Sequence, residues 1–488
     1  MTLPAPLTAL LERLPTQLFV GGTWRDGSDG RRINVLDPAT GQVITSVASA
    51  TEADALAAVQ AAAEAGPAFA AMPPRQRGEL LRRCYELMMR DKEALAQLIS
   101  LENGKALTDA QGEVAYAAEF FRWFAEEAVR ISGDLGVAPG GANRMLVQYQ
   151  PIGVSILVTP WNFPAAMATR KIAPALAAGC TCVLKPATET PLTAYAIAAL
   201  LVEAGVPAGV LNVITTATSG AVVSAMLRDS RVRKVSFTGS TEVGRILLRE
   251  AAGNIVHSSM ELGGNAPFLV FDDADLDAAI EGALVAKMRN GGEACTAANR
   301  FYVQRGIYPQ FAERLAARMA AISVGNGLEP GVGCGPLINP AAVDKVDELV
   351  TDAVQRGARV LTGGARCGDS GYFYQPTVLG AVPADALVLR EEIFGPVAPL
   401  VVFDTEEEAI AQANDTEYGL VAYLYTGDLQ RGLRISERLE AGMIALNRGL
   451  VSDPAAPFGG VKQSGLGREG AHHGILEFME AKYIATQW

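Results

Sequence analysis

Short apolar segments alternate with helical segments over most of this chain, and this alternation limits the possible folds more than any other feature of the sequence. In the first half, the predicted strands are 154–158, 182–184, 211–214 and 234–237, and the predicted helices are 191–203, 219–227 and 241–252. Continuous apolar strands that alternate with helices are typical of a parallel sheet covered on both faces. The sequence therefore predicts an α/β fold with a doubly wound sheet.

A second series of the same kind begins at residue 266, and the two series join near 261–265. It comprises strands 266–271, 301–304, 398–402, 421–425 and 442–446 and helices 274–288, 309–322, 405–414 and 428–438. A chain of 488 residues is too long for one ordinary core. We therefore expect two α/β units, preceded by short antiparallel strands at 17–50 and a helical layer at 52–130.

Composition excludes several classes of function. The net charge of −12 and the pI near 5.0 argue against a nucleic-acid-binding surface. No uncharged apolar segment is long enough to span a membrane, and the N-terminus lacks the pattern of a signal peptide. Six cysteines without Cys-x-x-Cys spacing and only three histidines disfavour a structural zinc site, so we expect no metal. A reduced, cytoplasmic protein is the expectation.

One cysteine differs from the other five in its surroundings. Cys295 follows the glycine pair 291–292 and precedes the apolar run 301–303. The glycines allow backbone to approach a ligand closely, and the small neighbouring residues leave the sulfur accessible. Arg289 and Arg300 lie nearby in the sequence and would favour the reactive thiolate. Most single cysteines are buried without a chemical role, so this segment alone indicates a nucleophile without establishing one.

Three other segments follow predicted strands and carry groups suited to catalysis. Glu261 lies at the junction of the two units, where partial enclosure would raise the basicity of a carboxylate. Asn162 lies between two prolines in a rigid loop, where its amide suits stabilisation of an oxyanion. Gly239 and Ser240 lie where a strand passes into a helix, which suits a pyrophosphate. A solvated glutamate and a structural turn are the alternative interpretations of the first two.

A Gly-x-Gly-x-x-Gly pattern at 465–470 is rejected as a dinucleotide fingerprint. No predicted strand precedes it, and only 18 residues follow it. A βαβ unit does not fit into that length.

Seven motifs in this chain resemble, in order and spacing, those of the aldehyde dehydrogenase superfamily, and the resemblance covers nearly the whole chain. The spacing of 34 positions between Glu261 and Cys295 is part of it. The motifs are Pro160-Trp-Asn-Phe-Pro164, Lys185-Pro-Ala, Phe237-Thr-Gly-Ser240, Glu261-Leu-Gly-Gly264, Cys295 with Asn299-Arg300, Glu392-Ile-Phe-Gly-Pro396 and Pro457-Phe-Gly-Gly460. Within the superfamily, the sequence is most similar to the NAD(P)-dependent succinate-semialdehyde dehydrogenases.

The resemblance implies a role for each motif. Cys295 would attack an aldehyde carbonyl, and the Asn162 side chain and the Cys295 backbone N–H would hold the oxyanion. Glu261 would activate the water that hydrolyses the resulting thioester, and Glu469 matches a position linked to proton relay. The residues implied in cofactor binding are Thr159, Trp161, Lys185, Thr188, Gly239, Ser240, Leu262, Glu392 and Phe394.

Cofactor preference depends on the third position after Lys185. NAD-preferring relatives often have a glutamate there, which holds both ribose hydroxyls, whereas this chain has Thr188. A threonine removes the carboxylate that would repel a 2′-phosphate, so we expect NADP to be accepted. Dual specificity, or NAD preference through the adjacent Glu189, remains the alternative.

Two arginines and a serine suggest the substrate. Arg170, Arg289 and Ser452 match positions that the resembling subfamily uses, and two arginines near one pocket suit a substrate with a distal carboxylate. The alternative is that each arginine pairs with a neighbouring carboxylate of the protein. Another aldehyde dehydrogenase, acting on glutarate semialdehyde or on a simpler aliphatic aldehyde, is the nearest alternative function. A CoA-acylating enzyme and a non-catalytic family member are less favoured, because Glu261, Cys295 and Asn162 are all present.

Two residues near Cys295 depart from the subfamily pattern. Glu293 replaces a more usual glutamine and would put a negative charge near the thiolate. Ala297 occupies a position where some members have a second cysteine, so a disulfide with Cys295 is not expected.

The resemblance also implies a division of the chain into two Rossmann-like, doubly wound domains and a small β element. Segments 1–133 and 153–261 would form the cofactor-binding domain, to which 455–472 returns, and 262–454 would form the catalytic domain. A protruding hairpin at 134–152 and the C-terminal segment 473–488 would form the oligomerisation element of a homodimer or homotetramer.

Overall fold

The N-terminal part of the chain folds into short antiparallel strands followed by a layer of helices. The structure is a computed structural model that describes residues 3–368 and 370–487, so the ends of the proposed segments 1–133 and 473–488 lie outside the described residues. Thr51 and Asp54 form a capping box that starts the first long helix. The elements are α1 (Ala5–Arg13), β1 (Leu18–Val20), β2 (Thr23–Arg25), β3 (Arg32–Leu36), β4 (Val43–Ala48), α2 (Glu52–Ala70), α3 (Pro74–Arg90), α4 (Lys92–Asn103) and α5 (Leu107–Glu127).

The first strand–helix series forms a sheet with a parallel centre. A hairpin of β5 (Asp134–Val137) and β6 (Arg144–Pro151) precedes the series. The elements of the series are β7 (Val154–Val158), α6 (Pro164–Ala178), β8 (Cys182–Lys185), α7 (Pro191–Glu203), β9 (Leu211–Val213), α8 (Ser219–Leu227), β10 (Val232–Thr238), α9 (Thr241–Ala252) and β11 (His257–Glu261). Strands β9, β8, β7, β10 and β11 pair in parallel in that order. All residues of α6 are buried, which explains its apolar sequence.

The second series forms another sheet, of seven strands. Its elements are β12 (Ala266–Val270), α10 (Leu276–Met288), β13 (Ala298–Gln304), α11 (Tyr308–Ala320), α12 (Pro340–Gln355), β14 (Arg359–Thr362), β15 (Arg366–Cys367), β16 (Phe373–Tyr374), β17 (Thr377–Gly380), β18 (Val397–Phe403), α13 (Glu406–Asn414), β19 (Val421–Tyr425), α14 (Leu429–Arg438) and β20 (Met443–Leu446). The strand order is β14-β17-β18-β13-β12-β19-β20, and every pair except β14–β17 is parallel.

The C-terminal segment returns to the first sheet and then leaves both sheets. Its elements are β21 (Gly465–Leu466), α15 (His473–Leu476) and β22 (Met479–Thr486). Strand β21 pairs with β11 at the edge of the first sheet, and β22 pairs with β6 of the hairpin in a separate three-stranded sheet. These strand memberships support the division into two domains and a β element that we propose.

The sequence interpretation missed the first helix of the chain and part of the second unit. Helices α1 and α12 and the strands between 359 and 380 were not predicted, although Asn339 caps α12 and its apolar residues recur every three or four positions. Strand β14 is largely exposed and lacks the apolar alternation on which strand prediction depends. Within the described residues, no helix combines the length and the apolar character needed to cross a membrane.

Candidate active site

The loops that follow strands of both sheets enclose a cavity of about 370 Å³. In open α/β sheets, ligands bind at the carboxyl ends of the strands, and the cavity lies there. Eight predicted site residues line it: Trp161, Asn162, Gly239, Ser240, Leu262, Cys295, Glu392 and Phe394. The other eight lie outside its lining: Thr159, Arg170, Lys185, Thr188, Glu261, Arg289, Ser452 and Glu469.

Local backbone geometry presents Cys295 to this cavity. The preceding turn, Arg289–Gly292, has left-handed backbone at Asn290 (φ 53°) and at Gly292 (φ 82°). A side chain at position 292 would begin 2.2 Å from the Gly395 carbonyl oxygen, so this crossing requires glycine. Cys295 is half-buried, whereas residues 292–294 are buried. The thiol is thus the accessible part of a tightly packed loop.

Opposing charges act on the Cys295 thiol. Burial raises its pKa to about 12, and the negative charges of Glu392 and Glu261 act in the same direction. The positive charges of Arg170 and Arg289 lower it. Burial and the two carboxylates thus disfavour the thiolate that reacts, and the two arginines favour it.

Two sequence predictions about charges beside Cys295 are wrong. Arg300 is buried and donates to three backbone carbonyls, so it holds the second sheet together and is not directed at the thiol. The Glu293 carboxyl group accepts a hydrogen bond from the Ile338 N–H at 3.1 Å, and burial raises its pKa well above the usual value. Glu293 is thus turned toward another loop, and its neutral form is favoured.

Asn162 has the geometry of an oxyanion donor. Its side-chain Nδ2 donates to the Glu293 carbonyl oxygen at 3.0 Å, which fixes which end of the amide carries the hydrogens. Its own backbone carbonyl accepts from Asn290 Nδ2 at 2.9 Å and from Lys105 Nζ at 2.6 Å. Asn162 and Cys295 line the same cavity, so the position of this amide suits stabilisation of a negative oxygen there.

Glu261 has the environment of a general base. It ends β11 and is buried, and burial is the main cause that raises its pKa well above the usual value. The negative charge of Glu469 raises this pKa further, whereas Arg170 and Lys171 lower it. Glu261 Oε2 accepts no hydrogen bond from the described residues. A carboxylate with raised basicity and one free oxygen suits proton abstraction from water.

Glu469 lies in a buried cluster of charged groups. Its Oε1 accepts from Lys171 Nζ at 2.6 Å, and its Oε2 lies 3.4 Å from Arg170 Nε. Lys171 Nζ also donates to Ser236 Oγ at 2.9 Å. Because Glu469 also acts on the pKa of Glu261, these groups fit the proton-relay role that the resemblance implies.

The two arginines meet at one aromatic ring. The guanidinium carbons of Arg170 and Arg289 lie 6.0 and 5.8 Å from the centre of the Tyr116 ring. Arg289 Nη1 donates to Ser452 Oγ at 3.3 Å, whereas Arg170 is paired with the Glu469 carboxylate. The alternative of a protein carboxylate partner therefore holds for Arg170. The Ser452 hydroxyl group carries no charge, so this contact leaves the positive charge of Arg289 uncompensated.

One wall of the cavity fits a pyrophosphate. Helix α9 begins there, with Ser240 as its N-cap, and Ser240 Oγ accepts from the Val243 N–H at 3.3 Å. A side chain at Gly239 would collide with the Phe237 ring, so the backbone there stays open to a ligand. Helix N-termini with open backbone are suited to phosphate groups.

Another part of the cavity lining fits the nicotinamide riboside. Glu392 Oε1 accepts from the Gly264 N–H at 3.0 Å, and burial raises its pKa to about 7. The Phe394 ring lies 5.5 Å from the Trp161 ring in an edge-on arrangement. Lys345 also lines the cavity and donates to the Glu392 carbonyl oxygen at 2.6 Å. An acceptor, an aromatic edge and a cation are thus brought together.

The predicted adenosine-binding residues lie beside the end of β8. Lys185 is the last residue of that strand, and burial lowers its pKa, whereas the negative charge of Glu189 raises it. Thr188 is half-buried in the loop before α7. The carboxylate of Glu189 therefore acts on the lysine that was expected to face a 2′-phosphate.

Comparison with known proteins identifies the family that the sequence motifs resemble. Residues 24–484 match the group described as the Aldehyde dehydrogenase family. The chain belongs to the aldehyde dehydrogenase family. Its similarity to the succinate-semialdehyde dehydrogenase of Paenarthrobacter nicotinovorans is 55% identity over 442 residues, which covers 91% of this chain and 98% of the relative. The glutarate-semialdehyde dehydrogenase of Pseudomonas putida is 52% identical over 468 residues, which covers 96% of this chain and 97% of the relative.

Solved structures agree with these relatives. An NADP-dependent enzyme from E. coli matches with a TM-score of 0.97 at 50% identity, and the match covers 99% of both chains. The comparisons confirm the predicted family, the α/β fold class and the assignment of this aldehyde dehydrogenase as an enzyme.

Several residues of this aldehyde dehydrogenase that support the site were not found from the sequence: Lys105, Asp109, Glu113, Tyr116, Lys171, Asn290 and Lys345. A charged residue inside a buried and mainly apolar helix, such as Lys171 in α6, was an available signal. Most of the others act through contacts between distant segments, which periodicity does not reveal. Among the described residues, no group of His, Cys, Asp and Glu side chains is arranged to hold a metal ion.

Proposed function

We propose that this aldehyde dehydrogenase oxidises succinate semialdehyde to succinate with NADP as cofactor, and that NAD also serves. The observation that carries the substrate is the Arg289–Ser452 pair, because it places a cation and a hydroxyl group near Cys295. A short substrate with an aldehyde at one end and a carboxylate at the other matches this arrangement. The name of the Paenarthrobacter relative supports the same substrate.

The reaction is carried by residues of this chain. The Cys295 thiolate attacks the aldehyde carbon, and the Asn162 amide stabilises the oxyanion of the thiohemiacetal. When bound, the nicotinamide cofactor accepts the hydride that leaves this carbon. The Cys295 thioester that remains is attacked by water, whose proton passes to Glu261. The carbon–sulfur bond then breaks, which releases the carboxylic acid and regenerates the Cys295 thiolate, with the proton of the water on Glu261.

Residues already present in the cavity would hold the cofactor. Ser240, Gly239 and the N-terminus of α9 would bind the pyrophosphate, and Glu392 and Phe394 would bind the nicotinamide riboside. Lys185 and Thr188 would face the adenosine ribose, with Thr159, Trp161 and Leu262 completing the walls. The E. coli structure is of an enzyme described as NADP-dependent, which supports NADP here.

Replacement of Arg289 by methionine is expected to raise the KM for succinate semialdehyde about 10- to 100-fold, because a hydrogen bond to a charged group contributes about 1.5–3 kcal/mol. Butanal has the same chain length without the carboxylate, so its kcat/KM is expected to fall only by the smaller effect that loss of the Arg289 charge has on the Cys295 thiolate. Steady-state kinetics on both aldehydes measure the difference. Equal losses for the two aldehydes would contradict a carboxylate-binding role for Arg289.

Replacement of Thr188 by glutamate is expected to lower kcat/KM for NADP about 10- to 100-fold, because two negative charges would face each other in a partly buried site. The kcat/KM for NAD is expected to stay unchanged or to rise, since a carboxylate in this position can bind ribose hydroxyls. The NADP-to-NAD ratio of initial rates is the measurement. An unchanged ratio would show that Glu189 or another group sets the preference.

Glutarate semialdehyde is the second candidate substrate, and the Pseudomonas putida relative bears its name. It has the same two functional groups and one more methylene group. Comparison of kcat/KM for the two semialdehydes decides between them, and a larger value for the five-carbon compound would replace our first proposal.

We infer that the chain forms a homodimer or homotetramer through the three-stranded sheet of β5, β6 and β22. Large apolar side chains are exposed there, and such residues commonly mark an interface: Leu135, Val137, Tyr483 and Ile484. We also place the protein in the cytoplasm, because all six cysteines are free thiols.

A further inference from the structure

One face of α5 contacts several parts of the active site. Asp109, Glu113, Tyr116 and Phe120 are spaced by four, three and four residues, so they form one stripe along the helix. Asp109 Oδ2 accepts from the Asn290 N–H at 2.8 Å, in the turn before Cys295. Tyr116 and Phe120 contact the Arg170 guanidinium. Glu113, which lies between Asp109 and Tyr116 in this stripe, contacts the helix start that follows the Asn162 loop.

Glu113 forms a buried ion pair with Lys105. Lys105 Nζ lies 2.5 Å from Glu113 Oε2, and both side chains are fully buried. The other carboxylate oxygen, Oε1, accepts from the backbone N–H groups of Ala165 and Ala166 at 2.9 and 3.2 Å. Glu113 therefore caps the N-terminus of α6, the helix that begins directly after the Asn162 loop.

Lys105 extends this connection to Asn162 itself. Its Nζ donates to the Asn162 carbonyl oxygen at 2.6 Å and lies 4.0 Å from the centre of the Phe163 ring. Asn290 donates to the same carbonyl oxygen. Two segments thus bond to the backbone of the oxyanion donor: the loop before α5 through Lys105, and the nucleophile loop through Asn290.

Stability alone does not account for this pair. Desolvation of two charges costs about as much as their attraction returns, so apolar residues of similar size commonly serve a core as well or better. Fixed geometry is what the pair adds: three hydrogen bonds link it to the Asn162 carbonyl and to two backbone N–H groups in the first turn of α6. A displacement of about 1 Å at a catalytic group is enough to cost about 10²-fold in rate.

We propose that the Lys105–Glu113 pair is a positioning unit that sets the Asn162 amide relative to Cys295, so that oxyanion stabilisation depends on it. This inference rests on the proposed function, in which Asn162 stabilises the thiohemiacetal oxyanion. Neither residue touches the reacting atoms, and each acts through the Asn162 loop. The pair affects formation and oxidation of the thiohemiacetal, but not the intrinsic reactivity of the thiol.

The chain contains a matched control. Glu102 is also fully buried and also caps a helix, because its carboxylate accepts from the backbone N–H groups of Leu192 and Thr193 at 2.8 Å each. The helix that it caps is α7, not α6. Glu102→Gln and Glu113→Gln both replace a buried, helix-capping carboxylate by an amide, but only Glu113 bonds to the helix that follows the Asn162 loop.

The experiment compares the full-length variants Glu113→Gln, Lys105→Met and Glu102→Gln at saturating cofactor. Stopped-flow absorbance gives the rate of the first hydride transfer, alkylation by iodoacetamide gives the reactivity of Cys295, and thermal unfolding gives stability. We expect hydride transfer to fall about 10- to 100-fold in Glu113→Gln and Lys105→Met, with alkylation little changed. Glu102→Gln is expected to keep the hydride-transfer rate whatever its loss of stability.

Two results would overturn the proposal: an unchanged hydride-transfer rate in Glu113→Gln and Lys105→Met, or a fall that alkylation and the Glu102→Gln variant share equally. Lys105→Arg keeps the charge and moves the donor, so it gives the same comparison if Glu113→Gln does not fold. The wild type is first tested on several aldehydes, and the variants are measured on one that it oxidises. A different preferred aldehyde would then correct the proposed substrate and leave the positioning role open to the same test.

Discussion

Replacement of Cys295 by alanine is expected to abolish aldehyde oxidation, with kcat falling by a factor on the order of 10⁴ or more, because no covalent intermediate can form without the thiol. The cavity itself should persist, since its other walls come from separate loops. Cofactor binding, measured by fluorescence titration, is therefore expected to remain. Turnover close to that of the wild type would exclude the thioester pathway.

Cys367 provides the control for this variant. It is also a free, half-buried cysteine, but it lies in β15, away from the cavity lining. Cys367→Ala is expected to keep full activity. A loss equal to that of Cys295→Ala would indicate that thiol removal damages the protein in a way unrelated to nucleophilic attack.

Replacement of Glu261 by glutamine is expected to stop the cycle after hydride transfer. The first turnover should still release about one equivalent of reduced cofactor per active site, and the steady-state rate should then fall about 10²- to 10⁴-fold, because water lacks its base. Rapid-mixing absorbance separates the burst from the slow phase. A slow phase as fast as that of the wild type would assign water activation to another group.

The pH dependence has a defined direction. Burial and the charge of Glu469 raise the pKa of Glu261, and only the ionised form accepts a proton from water. Deacylation is therefore expected to slow as the pH falls through this raised pKa. This decrease in rate at low pH should disappear in the Glu261→Gln variant. Glu293→Gln is the matched control, because Glu293 is also buried with a raised pKa but faces Ile338. It should keep the wild-type profile.

Much of the fold could be predicted because its signal is local. Helices α7, α8 and α9 have the predicted bounds, since each follows an apolar strand and begins directly after a threonine or a serine. Helix α12 had a comparable signal and was missed, whereas β14 is short and exposed and offers little to detect. The three-stranded sheet required a pairing between residues more than 300 positions apart, for which only a strand-like pattern was available.

The site residues also divide into those with a local sequence signal and those without one. Cys295, Asn162 and Glu392 lie in loops with distinctive short motifs, and the structure brings them to one cavity. The direction of a side chain was not predictable. Arg300 and Glu293 are close to Cys295 in sequence but face other segments, because a turn with left-handed residues and the start of β13 redirect the chain. Lys105 reaches the Asn162 carbonyl from the loop before α5, and Glu113 reaches the start of α6 through the packing of α5 against α6, so neither contact has a local signal.

Peptide mapping by mass spectrometry of the Glu261→Gln variant, quenched after mixing with succinate semialdehyde and NADP, tests both the chemistry and the substrate. We predict a succinyl group on the peptide that contains Cys295, in an amount equal to the reduced cofactor formed. Reduced cofactor formed with Cys295 unmodified, or an acyl group on a different residue, would contradict the account.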